Sequence, residues 1–273
     1  MGQYGNEQTI VSYSAKGARF YEAQLTENLA YGNLTIDFLK KIEFPANQKN
    51  ILDIGCGTGF AFDVLDKKFE ELDLTGLGID PAKGMVDIAR EKFAGKKRYS
   101  FEIGCFESIP LPDQSVDKII STLALHWVTS IEASVKEMHR VLKPGGSIDV
   151  LMIAYDDGFN FKKPVVRAME KHMTFPQIMR SAKLAQRVDK NQLKAMFEEN
   201  FNDYKVDVQN IKQVIYGSFQ DHMMWWKARS SAITHEIKDM EAFIIDLESE
   251  MKEIETSQGI PFDLSCLIVS ICK

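Results

Sequence analysis

The pattern of apolar and polar positions changes about fifty residues into the chain. Residues 9–42 are rich in Ala, Leu, Tyr and Phe and predict one or two helices. Beyond them, short apolar runs alternate with amphipathic stretches. The apolar runs predict strands at residues 50–54, 74–79, 99–103, 116–121 and 147–154. The amphipathic stretches predict helices at residues 60–69, 81–93 and 131–142.

Strands that alternate with helices predict an α/β fold with a parallel sheet covered on both faces. Right-handed crossovers then make the sheet doubly wound. We expect this core at residues 46–157, after N-terminal lid helices at residues 1–45. Residues 158–203 predict two or three helices, which would form a cap inserted after the fifth strand. Residues 204–273 predict strands at 204–216 and 263–272 with further cap helices between them.

A glycine-rich turn follows the first predicted strand, within the sequence LDIGCGTG at residues 52–59. Gly55, Gly57 and Gly59 allow positive φ or the close approach of a ligand to the backbone. The N–H groups at the start of the next helix are then free to bind a polar ligand. A dinucleotide-binding G-x-G-x-x-G motif would need a glycine at Phe60, so this spacing argues against a pyrophosphate-binding dehydrogenase.

Two carboxylates lie at or near the ends of the first two predicted strands. Asp53 lies within the glycine motif, where it could pair with a ligand amino group, directly or through water. Asp80 ends the second strand, where a carboxylate can accept hydrogen bonds from ribose hydroxyls. Asp80 is also a plausible helix N-cap, with Pro81 at the first helical position, and the two roles can coexist.

Residues 52–59 resemble motif I of the class I S-adenosylmethionine-dependent methyltransferases. Residues 78–80 resemble the ribose-binding segment, residues 106–117 the loop after the third strand, and residues 141–146 the turn before the fifth. The tail at residues 261–269 looks like the last strand of that family. The resemblance is to small-molecule enzymes of the type 11 group. It implies a Rossmann-like, seven-stranded sheet whose last strand is antiparallel, with S-adenosyl-L-methionine as cofactor.

The resemblance also implies a set of cofactor-binding residues. A tyrosine near Tyr13 often touches the methionyl end in such enzymes, and an acid after the third strand commonly binds the adenine amino group. Cys105 stands at that acid's position here, so main-chain groups near Cys105 could hold adenine, with Phe106 packing on the ring and Glu107 as an alternative. The full predicted set is Tyr13, Asp53, Gly55, Cys56, Gly57, Gly59, Asp80, Pro81, Cys105, Phe106, Glu107, Thr122 and Leu123.

The segment STLALHWV at residues 121–128 follows the fourth predicted strand. Ligands of a parallel sheet bind beyond the carboxyl ends of its strands, so this loop should face the transferred methyl group. His126-Trp127 resembles a pair in malonyl-carrier-protein, trans-aconitate and juvenile-hormone-acid O-methyltransferases. Imidazole and indole N–H groups could together bind one substrate carboxylate. Alternatively, Trp127 packs on the following helix and His126 caps a loop.

The predicted acceptor is a small molecule, with a carboxylate oxygen slightly preferred. Methylation of a nitrogen or a hydroxyl oxygen on another metabolite is the first alternative. A non-catalytic, cofactor-binding partner subunit is the second, and the intact glycine motif and Asp80 disfavour it. The cap carries many aromatic and methionine side chains, which either line an apolar pocket or form core.

The amino-acid composition limits which binding partners and cellular locations are expected. The net charge of −6 lacks the basic excess of a nucleic-acid-binding surface, although a local basic patch stays open. The four cysteines are scattered without zinc-ligand spacing, which predicts reduced thiols, a cytoplasmic location and no metal. We expect no signal peptide and no membrane span. The sequence leaves the oligomeric state open.

Overall fold

The computed structural model describes residues 10–11 and 31–273, and only the backbone of residues 225 and 227–233. A first helix, α1, precedes the sheet at Gly32–Lys41. Strands and helices then alternate as β1 (Asn50–Ile54), α2 (Phe60–Glu71), β2 (Thr75–Asp80), α3 (Lys83–Lys92), β3 (Tyr99–Ile103), β4 (Val116–Thr122), a 3-10 turn (Leu125–Trp127), α4 (Ile131–Val141) and β5 (Leu142–Ile153).

The rest of the chain adds a helical cap and completes the sheet. Its elements are α5 (Lys162–His172), α6 (Phe175–Ala182), α7 (Lys190–Asn200), β6 (Lys205–Gly217), α8 (Phe219–Thr234), α9 (Met240–Lys252) and β7 (Ile260–Cys272). The seven strands lie in the order β3-β2-β1-β4-β5-β7-β6. β1 to β5 are parallel, and β7 runs antiparallel to both β5 and β6. The predicted seven-stranded, doubly wound sheet with an antiparallel last strand is confirmed.

The two faces of the sheet are covered separately because side chains of a strand alternate between faces. In β1, Ile51 packs with the core that includes residues of α1, α2, α5 and α9. Its neighbour Leu52 packs with the core of α4 and α7 on the other face. The chain order of the strands reverses between β1 and β4, which is where a ligand crevice opens in a sheet of this kind.

Two local predictions were wrong in detail. Asp80 is not the N-cap of α3; it is the last residue of β2 and pairs with Ile103 of β3, so its backbone stays extended. Ala82 takes the N-cap position, and Pro81 therefore precedes the helix. β5 starts at Leu142 instead of Ser147, because Leu142 already pairs with Val116 of β4. The register then shifts before Ser147 pairs with Lys118.

Among the described residues, no helix combines the length and the apolar character that a bilayer crossing requires. Tyr13 lies outside the described residues, as does most of the predicted N-terminal lid.

Candidate cofactor and acceptor sites

The glycine-rich turn lies between β1 and α2 and is bonded to the end of β2. Gly55, Gly57 and Gly59 have φ of +72°, +54° and +82°. Such backbone favours glycine because a Cβ would crowd the peptide in the left-handed region. The N–H groups of Gly55 and Cys56 donate to the carbonyl oxygen of Ile79 at 2.8 and 3.0 Å. The turn is therefore held at the carboxyl edge of the sheet.

The three glycines face different surroundings. A Cβ on Gly55 would lie 2.2 Å from the Ala124 Cβ, and one on Gly59 would lie 2.7 Å from the Phe93 ring. A Cβ on Gly57 would meet no protein atom within 4 Å. Packing inside the protein therefore already requires glycine at two positions. Gly57 is the one of the three whose Cβ direction is open to a ligand.

Asp53 is a buried acid that lacks compensation. Neither of its carboxylate oxygens has a hydrogen-bond partner among the described residues. Burial, and next the charge of Asp80, raise the pKa of Asp53 to about 8. An uncompensated buried carboxylate is stabilised by a cationic group, so this position fits the amino group of a methionyl ligand.

Asp80 organises the turn. Its Oδ2 accepts from the Gly57 N–H at 3.0 Å and its Oδ1 accepts from the Ala82 N–H at 2.8 Å. Burial raises its pKa to about 6, while these two hydrogen bonds favour the ionised form. Each carboxylate oxygen keeps a further lone pair for a ribose hydroxyl. Pro81 is half-buried beside it.

The residues after β3 form a compact loop. Cys105 and Phe106 are buried, and the Phe106 ring packs in the core that contains Ile54 and Ile79. Glu107 Oε1 accepts from the N–H and the hydroxyl of Thr129 at 2.7 and 2.9 Å. Its Oε2 is buried and has no hydrogen-bond partner within the described part of the chain. That oxygen fits an exocyclic amino donor such as that of adenine. Cys56, also buried, packs beside Gly78.

The end of β4 has an unusual backbone. Thr122 is the last residue of the strand, and Leu123 has φ of +53°. Positive φ is uncommon for a branched, bulky residue, and such outliers cluster at functional sites. The Leu123 N–H is held by the Leu151 carbonyl at 2.7 Å, and its side chain faces a cavity.

This cavity measures about 350 Å³ and lies beyond the carboxyl ends of β4 and β5. His126 and Trp127 line it together, with ring centroids 5.0 Å apart. His126 is 1% exposed, and Trp127 is half-buried. The cap closes the cavity with apolar side chains of α5, α6 and α8, among them Phe161, Val165, Met169, Ile178 and Trp226. The structure thus brings both predicted acceptor residues to one largely apolar cavity.

Three charged residues of the cavity were missed by sequence reasoning. Asp157 is buried and accepts from the Tyr31 hydroxyl at 2.7 Å and the Ser265 N–H at 2.8 Å. Arg187 Nη1 lies 3.9 Å from Asp157 Oδ2, and the Lys162 ammonium donates to the Asp157 carbonyl oxygen. Burial, and next the charge of Arg187, lower the pKa of Lys162 to about 8. The sequence carries no local signal for this group, because Arg187 lies 25 residues beyond Lys162 and 30 beyond Asp157.

No group of three His, Cys, Asp or Glu side chains in residues 10–11 and 31–273 has the geometry to hold a metal ion.

Comparisons with known proteins agree with this geometry. Residues 52–149 match the family described as Methyltransferase domain. The malonyl-[acyl-carrier protein] O-methyltransferase of Serratia marcescens is 30% identical over 143 residues, which is 52% of each chain. The enzyme of the same name from Yersinia pestis is 39% identical over 98 residues, 36% of this chain and 34% of its own. The chain thus spans about half of the first relative and a third of the second.

Solved structures show the same fold. The YcgJ protein of Bacillus subtilis superposes with a TM-score of 0.59 at 20% identity, over 88% of this chain and 98% of its own. Phosphoethanolamine N-methyltransferase 2 of Haemonchus contortus, solved with S-adenosyl-L-methionine, gives 0.61 at 17% identity, over 96% and 58%. Residues 52–149 therefore form a methyltransferase domain, and the seven-stranded sheet as a whole has the fold of these solved structures.

Proposed function

We propose that the protein transfers a methyl group from S-adenosyl-L-methionine to a small-molecule acceptor, with a carboxylate oxygen preferred. The observation that carries this proposal is the position of two features at one edge of the sheet. The uncompensated acid Asp53 and the turn with the open Gly57 lie at the end of β1. An apolar cavity with His126 and Trp127 lies beyond the neighbouring β4.

The residues present fit the cofactor. Asp53 would hold the amino group of the methionyl part, Asp80 the ribose hydroxyls, and Glu107 Oε2 the adenine amino group. Gly57 would let the ligand approach the backbone. When bound, the cofactor supplies a methyl group on a positively charged sulfur. The protein's own contribution is to align an acceptor atom with that carbon and to exclude water. Such alignment can be worth about 7–11 kcal/mol.

The acceptor side supports a carboxylate. A carboxylate oxygen is ionised at neutral pH and needs no base, so the protein has only to orient it. His126 and Trp127 both line the cavity, and both carry ring N–H groups. The relatives from Serratia marcescens and Yersinia pestis are named as O-methyltransferases of a malonyl carrier protein, which agrees with an acidic acceptor.

A hydroxyl acceptor is the second candidate. His126 is an imidazole in a largely apolar cavity, and a group of this kind can act as a general base for a hydroxyl group. A non-catalytic partner subunit would have no need for an acceptor cavity. We further propose that the protein acts in the cytoplasm, on small molecules and not on nucleic acid.

A turnover panel tests the function. The protein is incubated with S-adenosyl-L-methionine and equimolar sets of carboxylic acids, phenols and amines, and products are identified by mass. We expect methyl esters, which mild base hydrolyses, and no product from Gly57→Val. Base-stable ethers would favour the hydroxyl alternative. N-methyl products, or cofactor binding without any product, would refute the carboxylate proposal.

We further propose that residues 1–45 and 158–203 form a lid over a cofactor-binding core. α5 and α6 already line the cavity, so closure over an acceptor would exclude water there. Hydrogen exchange with and without S-adenosylhomocysteine and a bound acid should show stronger protection at residues 158–200. Unchanged protection there would argue against a lid.

A further inference from the structure

The acceptor cavity is apolar except at one wall, where two basic side chains and one acid meet. Lys162 is the first residue of α5, Arg187 lies between α6 and α7, and Asp157 follows β5. All three line the cavity. Charged groups in an apolar enclosure are costly unless they are paired, so each of them requires an explanation.

Neutralising Asp157 does not explain both cations. One cation balances one carboxylate, and Asp157 already accepts hydrogen bonds from the Tyr31 hydroxyl and the Ser265 N–H. Lys162 also faces the charges of Asp156 and Asp263, whereas Arg187 has no ion pair among the described residues other than the long one to Asp157. Arg187 is therefore the cation that lacks a close counter-ion. The pKa of Lys162 is lowered mainly by burial and next by the charge of Arg187, while the charges of Asp157, Asp263 and Asp156 oppose this shift.

Arg187 makes weaker polar contacts than Lys162 does. Its Nη1 lies 3.9 Å from Asp157 Oδ2, which is too long for a hydrogen bond. The same atom donates to the Ala154 carbonyl at a long 3.4 Å. A guanidinium has five N–H donors, and its fork matches the two oxygens of a carboxylate. Much of the donor capacity of Arg187 is thus left for a group in the cavity.

The wall formed by Lys162, Arg187 and Asp157 is held by different strands from the one that leads into His126. Arg187 reaches Ala154 at the end of β5, and Asp157 is bonded to Ser265 on β7. These strands are the first and second neighbours of β4. One segment links the two places, because the Gln186 N–H donates to the His126 carbonyl at 2.7 Å.

We infer that Arg187 and Lys162 form an anion-binding subsite. This subsite would bind a negatively charged group of the acceptor that is distinct from the group that receives the methyl. This inference depends on the proposed function in one respect, which is that the bound ligand is the methyl acceptor. An apolar acid of moderate size would place its charged group on this pair and its hydrocarbon part in the cavity. A ligand with an ammonium group at that end would be rejected.

Three probes of equal length test the subsite without turnover: octanoate, 1-octanol and octylammonium. Each is titrated calorimetrically into the wild type at pH 7. A hydrogen bond to a charged group predicts that octanoate binds about ten- to a hundredfold more tightly than 1-octanol. Octylammonium should bind most weakly. Equal affinity for octanoate and 1-octanol in the wild type would overturn the inference.

Arg187→Met keeps an apolar stem of similar reach and removes the charge. Octanoate should lose most of its advantage in this variant, while 1-octanol should bind as before. Lys163→Met is the matched control, since Lys163 is exposed and neighbours Lys162 in sequence. It should keep the wild-type preference. Equal weakening of octanoate and 1-octanol by Arg187→Met would indicate a structural role and would overturn the inference.

Two more variants guard against misfolding of Arg187→Met. Arg187→Lys keeps the charge and should keep part of the preference, and Lys162→Met should reduce it. If neither changes the ratio of octanoate to 1-octanol affinity, the subsite is refuted. Failure of the proposed function looks different. Octanoate preference without any methyl ester in the turnover panel would refute carboxylate methylation alone, whereas ester formation without the preference would refute the subsite alone.

Discussion

Replacing Gly57 with alanine tests where the cofactor binds, because the added Cβ meets no protein atom within 4 Å. The methyl group would project into space that is open to a ligand. Its cost to the free protein comes from the backbone. With φ of +54°, Gly57 lies in the left-handed region, where an L residue costs about 1–2 kcal/mol.

Gly145 provides a matched control. It has φ of +80°, a Cβ there would also meet nothing within 4 Å, and it lies near the start of β5, at the opposite edge of the sheet. Gly57→Ala and Gly145→Ala should therefore lose similar stability, with Tm lower by about 2–8 °C. Gly59→Ala should lose more, because its Cβ would lie 2.7 Å from the Phe93 ring.

Cofactor affinity should separate the variants. A ligand displaced by the Cβ at Gly57 loses about one hydrogen bond, so Gly57→Ala should weaken S-adenosyl-L-methionine binding about tenfold, and Gly57→Val by more than a hundredfold. Gly145→Ala should bind as the wild type does. Calorimetric titration measures Kd, and thermal unfolding measures stability in parallel. Equal Kd in Gly57→Ala and Gly145→Ala would refute the placement of the cofactor at this turn.

Three further predictions concern the acids and the acceptor loop. The pKa of Asp53 is raised from 3.8 to about 8, so between these pH values the folded protein retains a proton that the unfolded chain releases. The free energy of unfolding should therefore fall from pH 4 to pH 8, by at most about 1.4 kcal/mol per pH unit. Asp53→Asn should remove that slope in urea unfolding; an unchanged slope contradicts the burial argument. Asp80→Asn should weaken cofactor binding about tenfold by loss of a charged acceptor; with an unchanged Kd, Asp80 would serve only to organise the turn. His126→Ala should lower kcat/KM for the acceptor about ten- to a hundredfold with the cofactor Kd preserved. Full activity in both His126→Ala and Trp127→Phe would remove the loop from the acceptor site.

The sequence by itself determined the order of the elements. Alternation of apolar runs with amphipathic stretches is a local property, so it locates β3 at residues 99–103 in agreement with the structure. A glycine cluster after an apolar strand is also local, and it marks the turn between β1 and α2. Chain order and crossover handedness then limit the sheet to a doubly wound topology. The seven-stranded sheet follows from these signals and the family resemblance.

Boundaries fixed by pairing between distant segments were harder to predict. Asp80 reads locally as a helix cap before a proline. The structure extends β2 through Asp80 because it pairs with Ile103 of β3, and the carboxylate then binds the Gly57 and Ala82 N–H groups. A partner that lies many residues away leaves no trace in the local pattern, although it decides what the side chain does.

Only the tertiary structure decided which groups share a site. It shows Gly57 open to a ligand while Gly55 and Gly59 are fixed by packing, and it shows the positive φ of Leu123. It brings Lys162 and Arg187 to one wall of the acceptor cavity. Burial and charge proximity are properties of the assembled fold, since desolvation depends on every segment that covers a group. The sequence therefore specifies the glycine-rich turn, whereas the cavity and its charged wall arise only when the cap packs on the sheet.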